Sequence, residues 1–307
     1  MLDAIEALDE LRLLEDRDQT GDLTEAERLR HFSNLAFLRT FSTLDASAET
    51  MVRQLRDAHV LILGVGGLGS NVLQNLCGLG VGRLTLVDRD DVEPRNFARQ
   101  FVYRAQDIGR PKIERAAEWV REFDPQIRVR TIRADFAGAA EVAEVLDSTR
   151  PDAVCAAVDD PAEIDQWVNA ACVRAGVPFV RGGMTVTEGV IWSVNPGHSA
   201  CFACPTDPDD SSGRVTNSVL HRQGVARMNR GAGPVATLLG SLVSFEILRY
   251  LTGFTAPRYA GATTVIDLAG DCGLTITARP RQPDCPVCGS ELPAAQPEAV
   301  MAVAVGG

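Results

Sequence analysis

From His59 onward the chain alternates short apolar, β-branched runs with segments whose apolar positions recur at helical spacing. "HVLILG", "RLTLVD", "IRVRTIRA", "PDAVCAAV" and "VPFVRG" read as strands, and helices are expected from Leu68, from Pro111, near Ala139 and near Glu163. Strands that are apolar almost throughout belong inside a sheet covered on both sides. Strict alternation of strand and helix makes each strand return parallel to the one before, through a helix that crosses a face. The expected fold is therefore α/β: a doubly wound, mostly parallel, Rossmann-like sheet with helices on both faces.

The pattern changes at both ends. Residues 1–50 are charged and helical, with an amphipathic stretch "MLDAIEALDELRLLEDRDQTGDL", a breaker at "QTGD" and a second helical stretch in "TEAERLRHFSNLAFLRTF". Past "GVIWSVNPG" come a polar, loop-like run "PTDPDDSSGR", a strongly apolar helix over 233–251, and two strands at "TTVIDL" and "LTITAR". The small-residue tail is expected to fray. These shifts divide the chain into a helical extension (1–50), a main domain (51–290) and a tail (291–307).

A formal net charge of −11 argues against a general nucleic-acid binder, which needs a basic footprint. The acidic N-terminus lacks the basic-then-apolar order of a secretion signal, and no apolar stretch reads as long and clean enough to cross a bilayer. A cytoplasmic protein with neither nucleic-acid nor membrane partners is expected. The eight cysteines then read as metal ligands or buried fillers, not as a disulfide framework.

Chemistry concentrates first at residues 64–69. Gly64, Gly66 and Gly69, with Gly67 among them, form G-x-G-x-x-G between a strand and a helix, where backbone N–H groups can approach a phosphate. Asp88 closes the next strand at the distance that suits a ribose hydroxyl. By themselves these residues fit a nicotinamide or flavin dinucleotide. Asn96, Arg99, Gln100 and Lys112 then cluster beyond the carboxyl edge of the sheet. A triphosphate has a use for Arg99 and Lys112, as a planar fork and a compact charge on a leaving pyrophosphate. A dehydrogenase has none, and would leave them as surface cations.

Cys201 and Cys204 in "ACFACP", with Cys285 and Cys288 in "PDCPVCGS", make two C-x-x-C pairs. Four thiolates suit a closed, tetrahedral, structural Zn²⁺ site. Cys77, Cys155 and Cys172 fall on apolar positions and read as small buried hydrophobes, and Cys272 falls on a turn.

"VLILGVGGLGSN", "LVDRDDVEPRNFARQ", "GRPKIERA" and "AAVDD" follow one another in the order and spacing of a known family. From about Val60 to Cys288 the chain resembles the ubiquitin-activating-enzyme-like adenylyltransferases of the ThiF/MoeB/HesA family. That resemblance implies ATP with Mg²⁺: Asp88 on the ribose, Asn96, Arg99 and Lys112 on the phosphates, Asp159 on the Mg²⁺, and the four cysteines on a structural zinc. Arg99, Lys112 and Asp159 would be the catalytic residues, with Gly64, Gly66, Gly67, Gly69, Asp90 and Gln100 completing the nucleotide site. It also implies a homodimer through the helix at 233–251. Taken alone, Asp159 reads as a cap for the helix of "PAEIDQWV".

Three departures matter. Asp160 stands where the family usually has asparagine. Ser33 stands where the second arginine of an N-terminal R-x-x-R belongs, leaving Arg30 or Arg39 to reach a partner subunit's ATP. No cysteine lies between Pro205 and Asp271, so a thioester at that position is excluded, whereas an acyl-adenylate needs no protein nucleophile. "DDPAEIDQWVNAACVRAGVPFVRGG" is most similar to the branch that adenylates the microcin C precursor peptide. That branch implies activation of a carboxylate at or near the C-terminus of a peptide or small protein, with residues 1–50 gripping the substrate. The loop over 205–230 reads either as a cover that closes over the adenylate or as a solvated, passive loop. A ubiquitin-like sulfur carrier as substrate, and an NAD-dependent oxidoreductase, are the alternatives.

Overall fold

The computed structural model describes residues 2–12, 14, 22–184, 187–204 and 231–289. Four helices come first: α1 (Leu2–Glu10), α2 (Glu25–Arg30), α3 (Phe32–Arg39) and α4 (Ala48–Asp57). There follow β1 (His59–Leu63), α5 (Gly67–Leu79), β2 (Arg83–Val87), α6 (Lys112–Phe123), β3 (Arg128–Ile132), α7 (Ala139–Thr149), β4 (Ala153–Ala156), α8 (Ile164–Ala175) and β5 (Phe179–Met184). The chain ends its described part with β6 (Glu188–Val194), α9 (Gly233–Thr252), β7 (Ala262–Asp267) and β8 (Leu274–Ala278).

The strands form a single sheet in the order β3-β2-β1-β4-β5-β6-β7-β8. The first five in that order are parallel, and β6, β7 and β8 are added antiparallel. The direction of winding reverses between β1 and β4, which opens a crevice at the carboxyl ends of those two strands. The expected doubly wound architecture is present, and the three antiparallel strands extend one side of it.

Alternation along the strands feeds two cores. Val60 and Ile62 of β1 and Cys155 of β4 pack with α4, α5, α6 and α9, whereas Leu61, Leu63, Val154 and Ala156 point into the core shared with α7 and α8. All of β1 is buried, which accounts for its unbroken apolar run. Leu23, Leu35, Leu38, Met51, Val52 and Leu55 belong to the first of these cores, so the chain ahead of β1 packs against the main sheet from Leu23 onward. α2 is set by a capping box of Thr24 and Glu27, and α4 by Ser47, whose hydroxyl accepts from the Thr50 N–H at 3.1 Å.

One expectation needs correcting. By length and composition α9, at 20 residues, is apolar enough to cross a membrane. Its inner face explains that composition differently: Leu239, Val243 and Ile247 are buried in the core against α5 and β5. Midway along α9, Glu246 is 0% exposed and accepts from Ser193 Oγ (2.7 Å), the N–H groups of Tyr259 (2.8 Å) and Arg258 (2.9 Å), and Arg249 (3.0 Å). A fully hydrogen-bonded carboxylate thus pins the helix to β6 and to the chain after it.

Candidate active site

The glycine turn lies in the crevice between β1 and β4. Gly64 has φ of +88°, and a Cβ there would lie 2.6 Å from the Ala157 carbonyl oxygen; a Cβ on Gly69 would fall 1.8 Å from the Gly64 carbonyl oxygen. Only glycine fits either place. At Gly66 a Cβ would meet nothing nearer than Gln100 Nε2 at 3.9 Å, so the turn is open on the side that faces the carboxyl edge. The start of α5, with its free backbone N–H groups, lies there.

The turn is held from behind at Val65. Its N–H donates to Asp88 Oδ2 at 2.7 Å, and its carbonyl accepts from the hydroxyl of buried Tyr103 at 2.7 Å. Asp88 Oδ1 also accepts from the Asp90 N–H at 2.8 Å, so Asp88 links the end of β2 to the turn. Asn96 is buried and accepts from the Glu93 N–H through Oδ1 at 2.9 Å. Gln100 is buried, and its Oε1 has no hydrogen-bond partner among the described residues.

Two cations border the turn. The Arg99 side chain lies over Gly67, where a Cβ would be 2.9 Å from Arg99 Nε. Burial pushes its guanidinium below the ordinary value, the charge of Asp159 opposes that, and Arg95 adds to it. Lys112, whose side chain is 6% exposed, donates from Nζ to Asp90 Oδ2 at 2.7 Å. Asp159 is exposed just beyond β4. It is not a helix cap: α8 begins at Ile164 with Glu163 as the residue before it, and no side chain caps that end. The sequence residues Gly64 to Gly69, Asp88, Asp90, Asn96, Arg99, Gln100, Lys112 and Asp159 therefore converge on one edge of the sheet.

Two further groups at this edge escape sequence reasoning. Arg89 donates to Asp135 Oδ1 and to Asp160 Oδ2, both at 2.6 Å, and so ties together the chain after β2, β3 and β4. The two carboxylates raise its pKa. Asp160, the residue that departs from the asparagine pattern, thereby has a basic partner. Tyr103 is the other; an aromatic residue in a loop gave no sign of bonding to a turn 38 residues earlier. Of the arginines weighed for the R-x-x-R role, Arg30 pairs with Asp124 at 2.8 Å and lies over the Phe123 ring at the end of α6. The segment 205–230 lies outside the described residues, as does the tail beyond 289.

The four knuckle cysteines meet. Their Sγ atoms all lie within 4.8 Å of one another, with Cys201–Cys285 at 3.7 Å and Cys204–Cys288 at 3.5 Å. Tetrahedral zinc with Zn–S of about 2.3 Å requires sulfur separations of about 3.8 Å, so the set fits the ion. Burial pushes the Cys285 thiol up, but the N–H groups of Cys288 and Val287 outweigh it and bring the thiol to about 7. Asn169 of α8 accepts from the Phe202 N–H (2.9 Å), and Arg281 donates to the Cys288 carbonyl (2.8 Å). Trp192 stacks on Phe202 between the guanidinium groups of Arg181 and Arg279. By contrast, burial pushes the thiols of Cys77 and Cys155 to about 12, as suits apolar fillers.

The ThiF family model matches residues 38–287, which spans the glycine turn, the cationic edge and the cysteine set. The chain belongs to the ThiF family. It is 30% identical to the sulfur carrier protein ThiS adenylyltransferase of Escherichia coli K12 over 80% of this chain and 92% of that one. It is 34% identical to the adenylyltransferase and sulfurtransferase MOCS3 of Sus scrofa over 77% of this chain, but spans only 49% of that longer relative. Among solved structures, E. coli MccB with bound ATP superposes with a TM-score of 0.77 at 21% identity, over 94% of this chain and 80% of MccB. MccB has also been solved with MccA-N7isoASN. The chain is thus an adenylyltransferase of this family, with the family's α/β fold and a cysteine cluster able to hold zinc.

Proposed function

We propose that the protein uses ATP to adenylate a carboxylate at or near the C-terminus of a peptide, releasing pyrophosphate and forming no thioester on the protein, within the biosynthesis of a ribosomally made peptide product. The observation that carries this reading is the Arg99 side chain lying over Gly67 of an open glycine turn, near enough to Asp159 to feel its charge, in a chain with no cysteine between Pro205 and Asp271. Asp88 holds the ribose, and Asn96, Gln100, Arg99 and Lys112 the phosphates. Asp159 would hold Mg²⁺, which would supply charge to offset that of the leaving pyrophosphate. A carboxylate oxygen of the substrate forms a bond to the α-phosphorus as the bond to the bridging oxygen of pyrophosphate breaks. The chain's share of catalysis is alignment and charge stabilisation, since no side chain needs to give or take a proton.

The same reading carries a cytoplasmic homodimer. Leu238 is half-buried and Phe245 exposed on α9, and the ring of Phe37 on α3 lies 6.0 Å from that of Phe245. Residues 1–50 contribute to gripping the substrate, with Ile5, Leu8 and Leu11 offering apolar contacts near α1. A ubiquitin-like sulfur carrier is the second reading, favoured by the 30% identity to the ThiS adenylyltransferase. Exchange of labelled pyrophosphate into ATP decides between them. Exchange dependent on peptides with a free C-terminal carboxylate supports the first, and exchange dependent only on a folded sulfur-carrier protein supports the second. No exchange with either, or hydride transfer from a nicotinamide, overturns both.

A further inference from the structure

Asn71 lies one turn into α5, between residues that are almost all buried and mostly apolar, and is itself 3% exposed. A buried amide in such a place must find partners. Its Nδ2 donates to the carbonyl oxygens of Gly67 (2.7 Å) and Arg99 (3.2 Å), and its Oδ1 accepts from Thr237 Oγ1 on α9 (3.1 Å). Both hydrogens and one oxygen lone pair are used. One side chain therefore joins the glycine turn, the main chain of a phosphate-side arginine and the second turn of α9.

The packing around this junction leaves no slack. A Cβ on Gly240 of α9 would lie 2.7 Å from Asn71 Cβ, and one on Gly233 would lie 2.9 Å from the Ala98 carbonyl oxygen. Among the described residues the guanidinium of Arg99, by contrast, makes one hydrogen bond, to the Arg95 carbonyl at 3.4 Å. Where that side chain is aimed thus depends on where its backbone is held: the Asn96 carbonyl holds its N–H at 3.1 Å, and Asn71 holds its carbonyl.

We propose that Asn71 is a positioning residue for adenylation: it fixes the Arg99 backbone relative to the glycine turn, and Thr237 fixes the orientation of its amide. The inference rests on the ATP reading of this site. Its consequence is that a hydroxyl on α9, remote in sequence from every phosphate contact, sets part of the affinity for the triphosphate.

The test uses the full chain with two probes, MgATP and adenosine, bound at equilibrium and followed by calorimetry. Asn71→Ala is expected to weaken MgATP about tenfold and Thr237→Val about threefold, as for the loss of hydrogen bonds that orient a phosphate contact. Adenosine, which has no phosphate, should bind each variant as it binds wild type, and Thr237→Ser should restore MgATP affinity. Thr237 is exposed, so its valine variant keeps the fold even where Asn71→Ala does not. Wild-type MgATP affinity in Thr237→Val would overturn the inference. So would parallel losses of MgATP and adenosine that track a fall in Tm, because those mark a merely structural role. A wild-type protein that binds no MgATP would overturn the nucleotide reading itself, and this inference with it.

Discussion

Replacing Tyr103 by phenylalanine tests whether the glycine turn is built in advance of its ligand. The change deletes a single oxygen. That oxygen donates to the Val65 carbonyl at 2.7 Å, while the Val65 N–H is held by Asp88, so the turn is clamped at both of its polar groups. Burial raises the Tyr103 pKa, with Asp88 acting in the same direction, so the hydroxyl stays a donor at every practical pH and the effect will not titrate. Losing this bond while leaving a carbonyl short of a partner costs about 1–2 kcal/mol. For a chain of this size that corresponds to a fall in Tm of about 2–6 °C. If the clamp also aims the N–H groups at phosphate, as much as the same energy disappears from ATP binding, and KM for ATP rises about 5- to 30-fold. The measurements are thermal unfolding and pyrophosphate exchange, beside a control, Val120→Ala, that loosens the core away from the turn. An unchanged KM in Tyr103→Phe, or an equal rise in the control, would refute a preformed turn.

Three further outcomes are expected. Cys285→Ser should lower bound zinc and soluble yield, since structural zinc contributes on the order of 10 kcal/mol of apparent binding energy to the folded state; a fully folded, zinc-free variant would show the knuckles to be ornamental. Asp159→Ala should abolish pyrophosphate exchange while leaving Tm within about 1 °C, because exposed residues outside caps and networks carry little stability, and wild-type exchange would remove its metal role. The N–H of Thr24, then the Thr24 hydroxyl and Arg56, lower the Glu27 pKa from 4.5 to about 2. A depressed carboxyl pKa stabilises the fold above pH 4.5 and loses that contribution as pH falls toward 2, so Glu27→Gln should flatten the acid limb of stability in that window, read by circular dichroism.

The parallel part of the sheet was legible because β1, β2 and β4 are buried on both faces, and a strand with two covered faces has no alternative to an apolar run. The cysteine set was legible for another reason: two C-x-x-C turns need only be brought together, and any fold that does so makes a site. Asn71 was not legible, because its partners lie at Arg99 and Thr237, and sequence spacing carries no information about a contact made across 166 residues. Arg89 was hidden similarly, since it pairs with Asp135 and Asp160 only once the sheet has placed the ends of β2, β3 and β4 side by side. Nor did composition separate α9 from a membrane span; burial of Leu239, Val243 and Ile247 against α5 and β5 did.

The charges at the carboxyl edge say something about how the proposed ATP must bind. Asp88, Asp90, Asp91, Asp135, Asp159 and Asp160 all lie there, and among the described residues the cations other than Arg99 are already engaged: Lys112 with Asp90, Arg89 with Asp135 and Asp160, and Arg133 with Asp91. A triphosphate arriving at this edge gains a new charge pair from Arg99 but only an exchanged one from Lys112, which must turn from a carboxylate at 2.7 Å to a phosphate. Binding is then partly an exchange of partners, and its net electrostatic gain is smaller than the number of contacts suggests. Two features would offset this: the backbone N–H groups at the start of α5, which give up no carboxylate, and the charge of a divalent cation, which on the proposed reading Asp159 would hold. On this reasoning Asp90→Asn, which frees Lys112 in advance, should tighten MgATP binding. Weaker binding in that variant would show instead that Asp90 holds Lys112 in position for the phosphates.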